Sequence, residues 1–140
     1  MVSLSLMLSM PSQPSTVVCS RGVLTILLSL AGTTDECRDE LAVIMTEACT
    51  NAVVHSTRDG AVDISIVIED RQCILEIDNR GDVVSGKITR QPVDPLSVGG
   101  RGLPLMATLA DTVAFLPAAP GHVRLRVTKH LPLGATAPDR

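Results

Sequence analysis

The feature that most constrains the fold is a pair of neighbouring segments in which apolar residues alternate with polar ones. VDISIVIED (62–70) has isoleucine at the alternate positions 64, 66 and 68, and CILEID (73–78) follows after the short turn Asp70-Arg71-Gln72. Since successive side chains of a strand point to opposite faces, a period of two predicts strands with one buried face. Two such runs joined by a short polar turn predict an antiparallel hairpin.

Two helices are predicted before this hairpin. Apolar residues recur near helical spacing over about 16–31, and Gly32 fits the end of that helix. The TTDE run at 33–36 offers N-cap residues for a second, longer helix that reaches about residue 55. The sequence therefore places two consecutive helices ahead of the paired strands.

The remaining segments add strands and one short helix. The Ser/apolar alternation of MVSLSLMLSM (1–10) predicts an edge strand. A loop without periodicity at 81–98 precedes a short helix at about 103–111 and strands near 112–116 and 122–129. Hairpins in place of regular βαβ units predict an α+β fold, a two-layer α/β sandwich with a mixed, mainly antiparallel sheet and helices on one face.

Length and composition limit the possible functions. A chain of 140 residues suits one domain, here 1–132, followed by a frayed tail at 133–140. The net charge of -3 and a single aromatic residue, Phe115, argue against direct binding of nucleic acid. The four cysteines have no CxxC spacing, which predicts buried, reduced thiols. No membrane span or targeting signal is predicted, so we expect a cytoplasmic protein.

The stretch EACTNAVVH (47–55) is the first candidate site. Glu47, Asn51 and His55 recur every four residues, so a helix places them in one line. An Asn amide oxygen can bind a hard cation such as Mg²⁺, and a Glu one turn away can accept a proton. The alternative is a solvated stripe on a surface helix, with His55 interacting with the helix dipole.

Two further motifs contain glycine. Glycines in GGRG (99–102), before a helix, let backbone N–H groups approach a phosphate, and Arg101 adds a charged donor; the alternative is a flexible turn. In IDNRG (77–81), strand parity puts Asn79 on the same side as Ile77. Asn79 could therefore read the edge of a ligand's base, or it could belong to an ordinary Asn-Gly-type turn.

Taken in order, EACTNAVVH, IDNRG and GGRGLPLM resemble the N-box and the two glycine-containing boxes of the GHKL ATPases, which share the Bergerat ATP-binding fold. The resemblance is closest to the RsbW-like branch, the bacterial ATP-binding anti-sigma factors that are also serine kinases. It covers roughly residues 3–132 and includes the two predicted helices, the hairpin and the ending VRLRVTKHL.

The resemblance implies a role for each matching position. Asn51 matches the ligand of Mg²⁺ bound to ATP, and Glu47 matches the general base toward a serine hydroxyl of a protein substrate. Arg21 matches an arginine that contacts partner proteins, and residues 82–98 correspond to the ATP lid. The positions matching the nucleotide site are Asn51, Asn79, Gly81, Gly99, Gly100, Arg101, Gly102 and Leu103. The implied partners are a sigma factor, an anti-anti-sigma protein with a STAS domain and a second copy of the chain.

The chain departs from the resembled family at three positions. Asn79 stands where the family has an Asp that accepts a hydrogen bond from adenine, Val83 replaces a second glycine, and Pro104 replaces a small or flexible residue. A neutral amide accepts a weaker hydrogen bond than a carboxylate. Two alternatives to a kinase therefore stay open: a partner-sequestering module of the same fold with weakened nucleotide use, and an interaction protein without a nucleotide site.

Overall fold

The computed structural model describes residues 3–57, 60–81 and 102–132. The predicted lid at 82–98, the residues Gly99, Gly100 and Arg101, and the tail at 133–140 lie outside the described residues.

The described strands form one five-stranded sheet in the order β1-β2-β3-β5-β4. They are β1 (Leu4–Pro11), β2 (Ala61–Glu69), β3 (Gln72–Arg80), β4 (Thr112–Leu116) and β5 (His122–His130). All four pairings between them are antiparallel, and β3 is the central strand. The predicted α+β architecture is confirmed, with β1 at one edge as expected.

The β2–β3 turn differs by one residue from the prediction. Glu69 pairs with Gln72, so only Asp70 and Arg71 form the turn, and Gln72 belongs to β3. Both turn residues have positive φ, 50° and 59°. Two left-handed residues give the turn a twist that matches the twist of the two strands. The three-residue turn predicted from the sequence is therefore wrong.

Three described helices accompany the sheet: α1 (Pro14–Ala31), α2 (Asp35–His55) and α3 (Gly102–Leu109). Gly32 ends α1 in the left-handed conformation (φ 76°), where glycine carries no steric penalty. The side chain of Thr34 caps α2 by accepting a hydrogen bond from the Cys37 backbone N–H at 3.2 Å. Both predicted helix boundaries thus have a local chemical cause.

The core lies between the helices and one face of the sheet. It is aliphatic, as the near absence of aromatic residues requires, and alternate residues of β2, β3 and β5 supply the sheet side. The fully buried members with the largest side chains are Leu24, Leu28, Leu41, Ile44, Met45, Ile64, Ile66, Leu75, Ile77 and Met106. This packing fixes α2 above the central strand.

By length and composition alone, α1 could cross a membrane, a test that core helices of other proteins also pass. Here Leu24 and Leu28 of α1 are fully buried in the core shared with α2 and the sheet. Val18, Ile26 and Leu30 are exposed on the same helix. The helix therefore carries apolar residues on both its packed side and its open side.

The cysteines are all free, and three of the four match the prediction of buried thiols. Cys37, Cys49 and Cys73 are buried, whereas Cys19 is exposed on α1, so the prediction is wrong for Cys19. Burial raises the pKa of Cys49 to about 11 and that of Cys73 to about 12. Burial also raises the pKa of Cys37.

Candidate functional site

Helix α2 runs in the same direction as the central strand β3. At one end, the Cys37 sulfur lies 4.0 Å from the carbonyl oxygen of His130, whose neighbour on β3 is Gln72. At the other end, α2 finishes at His55, and a Cβ built on Gly81 would overlap the His55 carbonyl oxygen. The two ends of β3 therefore lie close to the two ends of α2.

This alignment brings Asn51 and Asn79 to the same level of the molecule. Fourteen helical residues at about 1.5 Å each carry α2 about 21 Å from Cys37 to Asn51. Six strand residues at about 3.3 Å each carry β3 about 20 Å from Cys73 to Asn79. Glu47 lies one helical turn nearer the start of α2. The three predicted residues therefore occupy the same end of the layer between helix and sheet.

Asn79 is the most unusual polar residue of this region. Its side chain is buried with 4 % of its surface exposed, on the core face of β3 between Val62 and Val123 of the flanking strands. Its Nδ2 atom is buried and makes no hydrogen bond with any described residue. An unpaired buried donor costs about 1–3 kcal/mol and is uncommon in folded proteins. The surrounding core therefore leaves the Nδ2 donor of Asn79 unsatisfied.

Gly81 closes this end of the site. Its backbone N–H donates to the Gly121 carbonyl oxygen at 2.9 Å, and it forms an isolated bridge with Ser56. A Cβ on Gly81 would also lie 3.1 Å from Asn79 Nδ2. Glycine is required here because the backbone passes directly against the end of α2.

Glu47 and Asn51 are half-buried on α2. Their helix neighbours Ile44 and Ala48 are fully or almost fully buried, so the pair lies at the border between the core and solvent. The alternative of a fully solvated stripe does not describe them. His55 is exposed as the last residue of α2, which fits the alternative interpretation of a helix-terminal residue.

Helix α3 begins with Gly102 and packs against α2. Lys129 fixes its other end, donating to the Leu109 carbonyl oxygen at 2.6 Å and lying 3.5 Å from Glu40 on α2. Gly102 and Leu103 are thus at the end of α3 remote from Glu40. Leu103 is partly buried against the core. The other predicted phosphate-loop residues lie outside the described ranges.

Arg21 is exposed on α1 and reaches the second helix. Its Nη1 atom lies 3.5 Å from the Thr46 hydroxyl oxygen, a long hydrogen bond. Thr46 directly precedes Glu47, so Arg21 marks the surface where α1 meets the predicted catalytic turn of α2. A protein bound over Arg21 would lie beside Glu47.

The opposite face of the sheet carries a cluster that was not predicted as a site. Asp78 accepts hydrogen bonds from Arg124 Nε and pairs with His122 Nδ1, both at 3.1 Å. These residues line a groove of about 680 Å³ together with Asp63 and Glu76. The alternation that buries Asn79 also turns Asp78 to this face, so strand parity could have located the cluster. The groove is separated from Asn79 by the sheet.

In the ranges 3–57, 60–81 and 102–132, no group of three His, Cys, Asp or Glu side chains could hold a metal ion. The amide oxygen of Asn51 is the kind of oxygen ligand that Mg²⁺ takes alongside phosphates and water. Asn51 is thus the residue that would hold such a cation.

The comparison with protein families agrees with this architecture. The sequence pattern of the family described as the histidine kinase-like ATPase domain matches residues 10–129. The chain therefore belongs to the histidine kinase-like ATPase domain family.

Within that family, the chain is similar to proteins named serine-protein kinase RsbW. It is 34% identical to the one from Bacillus subtilis over 118 residues, covering 76% of this chain and 74% of the relative. It is 33% identical to the one from Bacillus pumilus over 138 residues, covering 89% of this chain and 84% of the relative.

A solved structure has the same fold. It contains the RsbU and RsbW domains of Rv1364c from Mycobacterium tuberculosis, with a TM-score of 0.70 and 16% sequence identity. The match covers 93% of this chain and 34% of that one, so the present chain spans about a third of the longer protein. At this level of identity, the similarity concerns the fold alone.

Proposed function

We propose that this chain is an ATP-binding anti-sigma factor that sequesters a sigma factor and phosphorylates a serine of an anti-anti-sigma partner with a STAS domain. The observation that carries the proposal is the buried, unpaired Nδ2 donor of Asn79, which lies level with Asn51 and about one helical turn beyond Glu47. The chain's place among histidine kinase-like ATPase domains and its similarity to the serine-protein kinases named RsbW support the same function.

In this proposal, each residue has a distinct task. Asn79 and Gly81 contact the adenine, and Asn51 offers its amide oxygen to Mg²⁺. Gly99, Gly100, Arg101 and Gly102, with Leu103 in the first turn of α3, would bind the phosphates, since backbone N–H groups at a helix start favour negative charge. When bound there, Mg²⁺ would supply positive charge against the β- and γ-phosphates.

Glu47 is the proposed general base. It accepts the proton of the substrate serine while the serine oxygen bonds to the γ-phosphorus and the bond to the β-phosphate oxygen breaks, which releases ADP. Such transfer depends mainly on positioning and on electrostatic stabilisation. A half-buried carboxylate at the border of the core fits this task, because a bound substrate protein can reach it from solvent.

The exposed part of α1 is the proposed partner surface. Arg21 supplies a positive charge, and Val18, Ile26 and Leu30 supply exposed apolar area on the same helix. Interfaces enriched in arginine and apolar side chains are common in protein recognition. The outer edge of β1, which pairs only with β2 among the described strands, is the proposed surface for homodimer formation. We propose that the protein works in the cytoplasm without contact to membrane or nucleic acid.

A second candidate function is partner sequestration without phosphorylation. The neutral Asn79 favours it, since an amide holds the adenine amino group less strongly than a carboxylate would. Calorimetric titration with ATP and Mg²⁺ tests both candidates, and saturable binding is expected. Absence of binding at millimolar ATP would overturn both. Transfer of labelled phosphate to a STAS-domain partner distinguishes them, because only the kinase gives a labelled partner.

A further inference from the structure

The buried amide of Asn79 bears on which purine base the site accepts. A carboxylate can only accept hydrogen bonds, whereas a carboxamide carries an acceptor, Oδ1, and a donor, Nδ2, on one planar group. A half-turn of the amide exchanges the two atoms without changing its shape. The position can therefore present either a donor or an acceptor to a ligand.

The surroundings of Asn79 leave this choice open. No described residue accepts a hydrogen bond from Nδ2. Such a bond would hold the amide in one orientation, with Oδ1 toward the ligand. Its neighbours across the sheet, Val62 and Val123, are apolar, so their side chains offer no preference between the two orientations. On the remaining side, Gly81 has no Cβ, which would otherwise lie 3.1 Å from Nδ2.

We propose that the site takes 6-oxopurine nucleotides, with inosine triphosphate as the simplest case, in addition to ATP, and that Asn79 is the residue that determines this specificity. The inference rests on the proposed nucleotide-binding function. With adenine, the 6-amino group donates to Oδ1 of Asn79. With a 6-oxopurine, Nδ2 donates to the 6-oxygen after the amide has turned by half a rotation.

A carboxylate at this position would instead discriminate between adenine and a 6-oxopurine. At the same position, a carboxylate accepts from the 6-amino group but faces the lone pairs of a 6-oxygen with no proton between them. A buried pair of unbonded acceptors is costly, so such a site rejects the oxo base. The amide in this chain removes that discrimination.

The experiment compares ATP with inosine triphosphate, which differ at the 6-position and in the proton on N1. Dissociation constants are measured by calorimetry with Mg²⁺ for the wild type and for Asn79→Asp. The wild-type values are expected to agree within about tenfold. In Asn79→Asp, the ratio should move at least about tenfold toward ATP. Asp78→Asn is the matched control, because Asp78 is the next residue but faces the opposite side of the sheet, and its ratio should equal that of the wild type.

The outcomes separate this inference from the proposed function. ATP binding by the wild type with inosine triphosphate more than about tenfold weaker would overturn the inference and leave the proposed function standing. Failure of both nucleotides to bind would overturn both. Since Asn79→Asp buries a carboxylate and could unfold the chain, its fold is checked by circular dichroism. If it does not fold, the wild-type ratio alone decides.

Discussion

The carbonyl oxygen of His55, at the end of α2, lies against Gly81 at the end of β3 so closely that no side-chain carbon fits between them. Gly81→Ala is therefore expected to lower the free energy of unfolding by about 1–3 kcal/mol, since backbone must move to admit the methyl group. Urea unfolding measures this change.

A matched control for this substitution lies on α1. A Cβ on Gly22 would meet nothing within 4 Å, so Gly22→Ala is expected to stabilise the protein by roughly 0.5–1 kcal/mol through helix propensity. Equal effects of the two substitutions would contradict the close contact between His55 and Gly81.

Asn51→Ala is expected to abolish Mg²⁺-dependent nucleotide binding, because the cation would lose its proposed protein ligand. Titration with ATP, with and without Mg²⁺, measures the effect. Thr50→Ala is the control, since Thr50 is exposed on the same helix and should leave binding unchanged. Wild-type affinity in Asn51→Ala would show that Asn51 does not hold the metal.

Glu47→Ala is expected to keep ATP binding and to reduce phosphate transfer by about 10²–10⁴-fold, the usual contribution of a general base. The two readouts are calorimetry and transfer of labelled phosphate to the partner. Asp39→Ala removes an exposed carboxylate from the same helix and should leave both readouts unchanged. Undiminished transfer by Glu47→Ala would exclude Glu47 as the base.

The thiols should differ sharply in reactivity. Cys19 is exposed, whereas burial raises the pKa of Cys49 to about 11 and that of Cys73 to about 12. A thiol reagent such as DTNB is therefore expected to modify Cys19 rapidly and the other three only after unfolding. Four fast-reacting thiols in the native protein would contradict the burial of Cys37, Cys49 and Cys73.

The same pKa shifts predict a loss of stability in alkali. Above pH 9.0, the ordinary value, the unfolded chain releases protons from Cys49 and Cys73 while the native chain retains them. The free energy of unfolding then falls as the pH rises from about 9 toward 11–12. Urea titrations at several pH values measure this slope, which should become shallower in Cys49→Ala. An unchanged slope in that variant would mean that the Cys49 thiol does not contribute.

The local patterns of the sequence predicted much of the fold. The period of two in β2 and β3 predicted that the Asn79 side chain lies on the core face of the sheet and the Asp78 side chain on the opposite face. This prediction needs no long-range information, because successive side chains of any strand point to opposite faces. The exact β2–β3 turn was not predictable in this way. Asp70 and Arg71 both adopt positive φ although neither is glycine, and the turn type depends on the pairing of Glu69 with Gln72.

Long-range contacts account for what the sequence left open. The pairing of β3 with β5 and the contact between His55 and Gly81 join segments that are distant in the chain, and local periodicity carries no signal for either. Cys19 was misplaced because α1 is apolar on more than one side, so its spacing does not distinguish the packed face from the open one.

The position of Asn79 on the central strand has a consequence for how a ligand binds. Strand β3 is hydrogen-bonded on both sides, and its amide hydrogens are expected to exchange with solvent only when large parts of the sheet open. The backbone beneath Asn79 is thus fixed before any ligand arrives. In the proposed site, selectivity at Asn79 would depend on rotation of one side-chain amide and would need no movement of the strand that carries it.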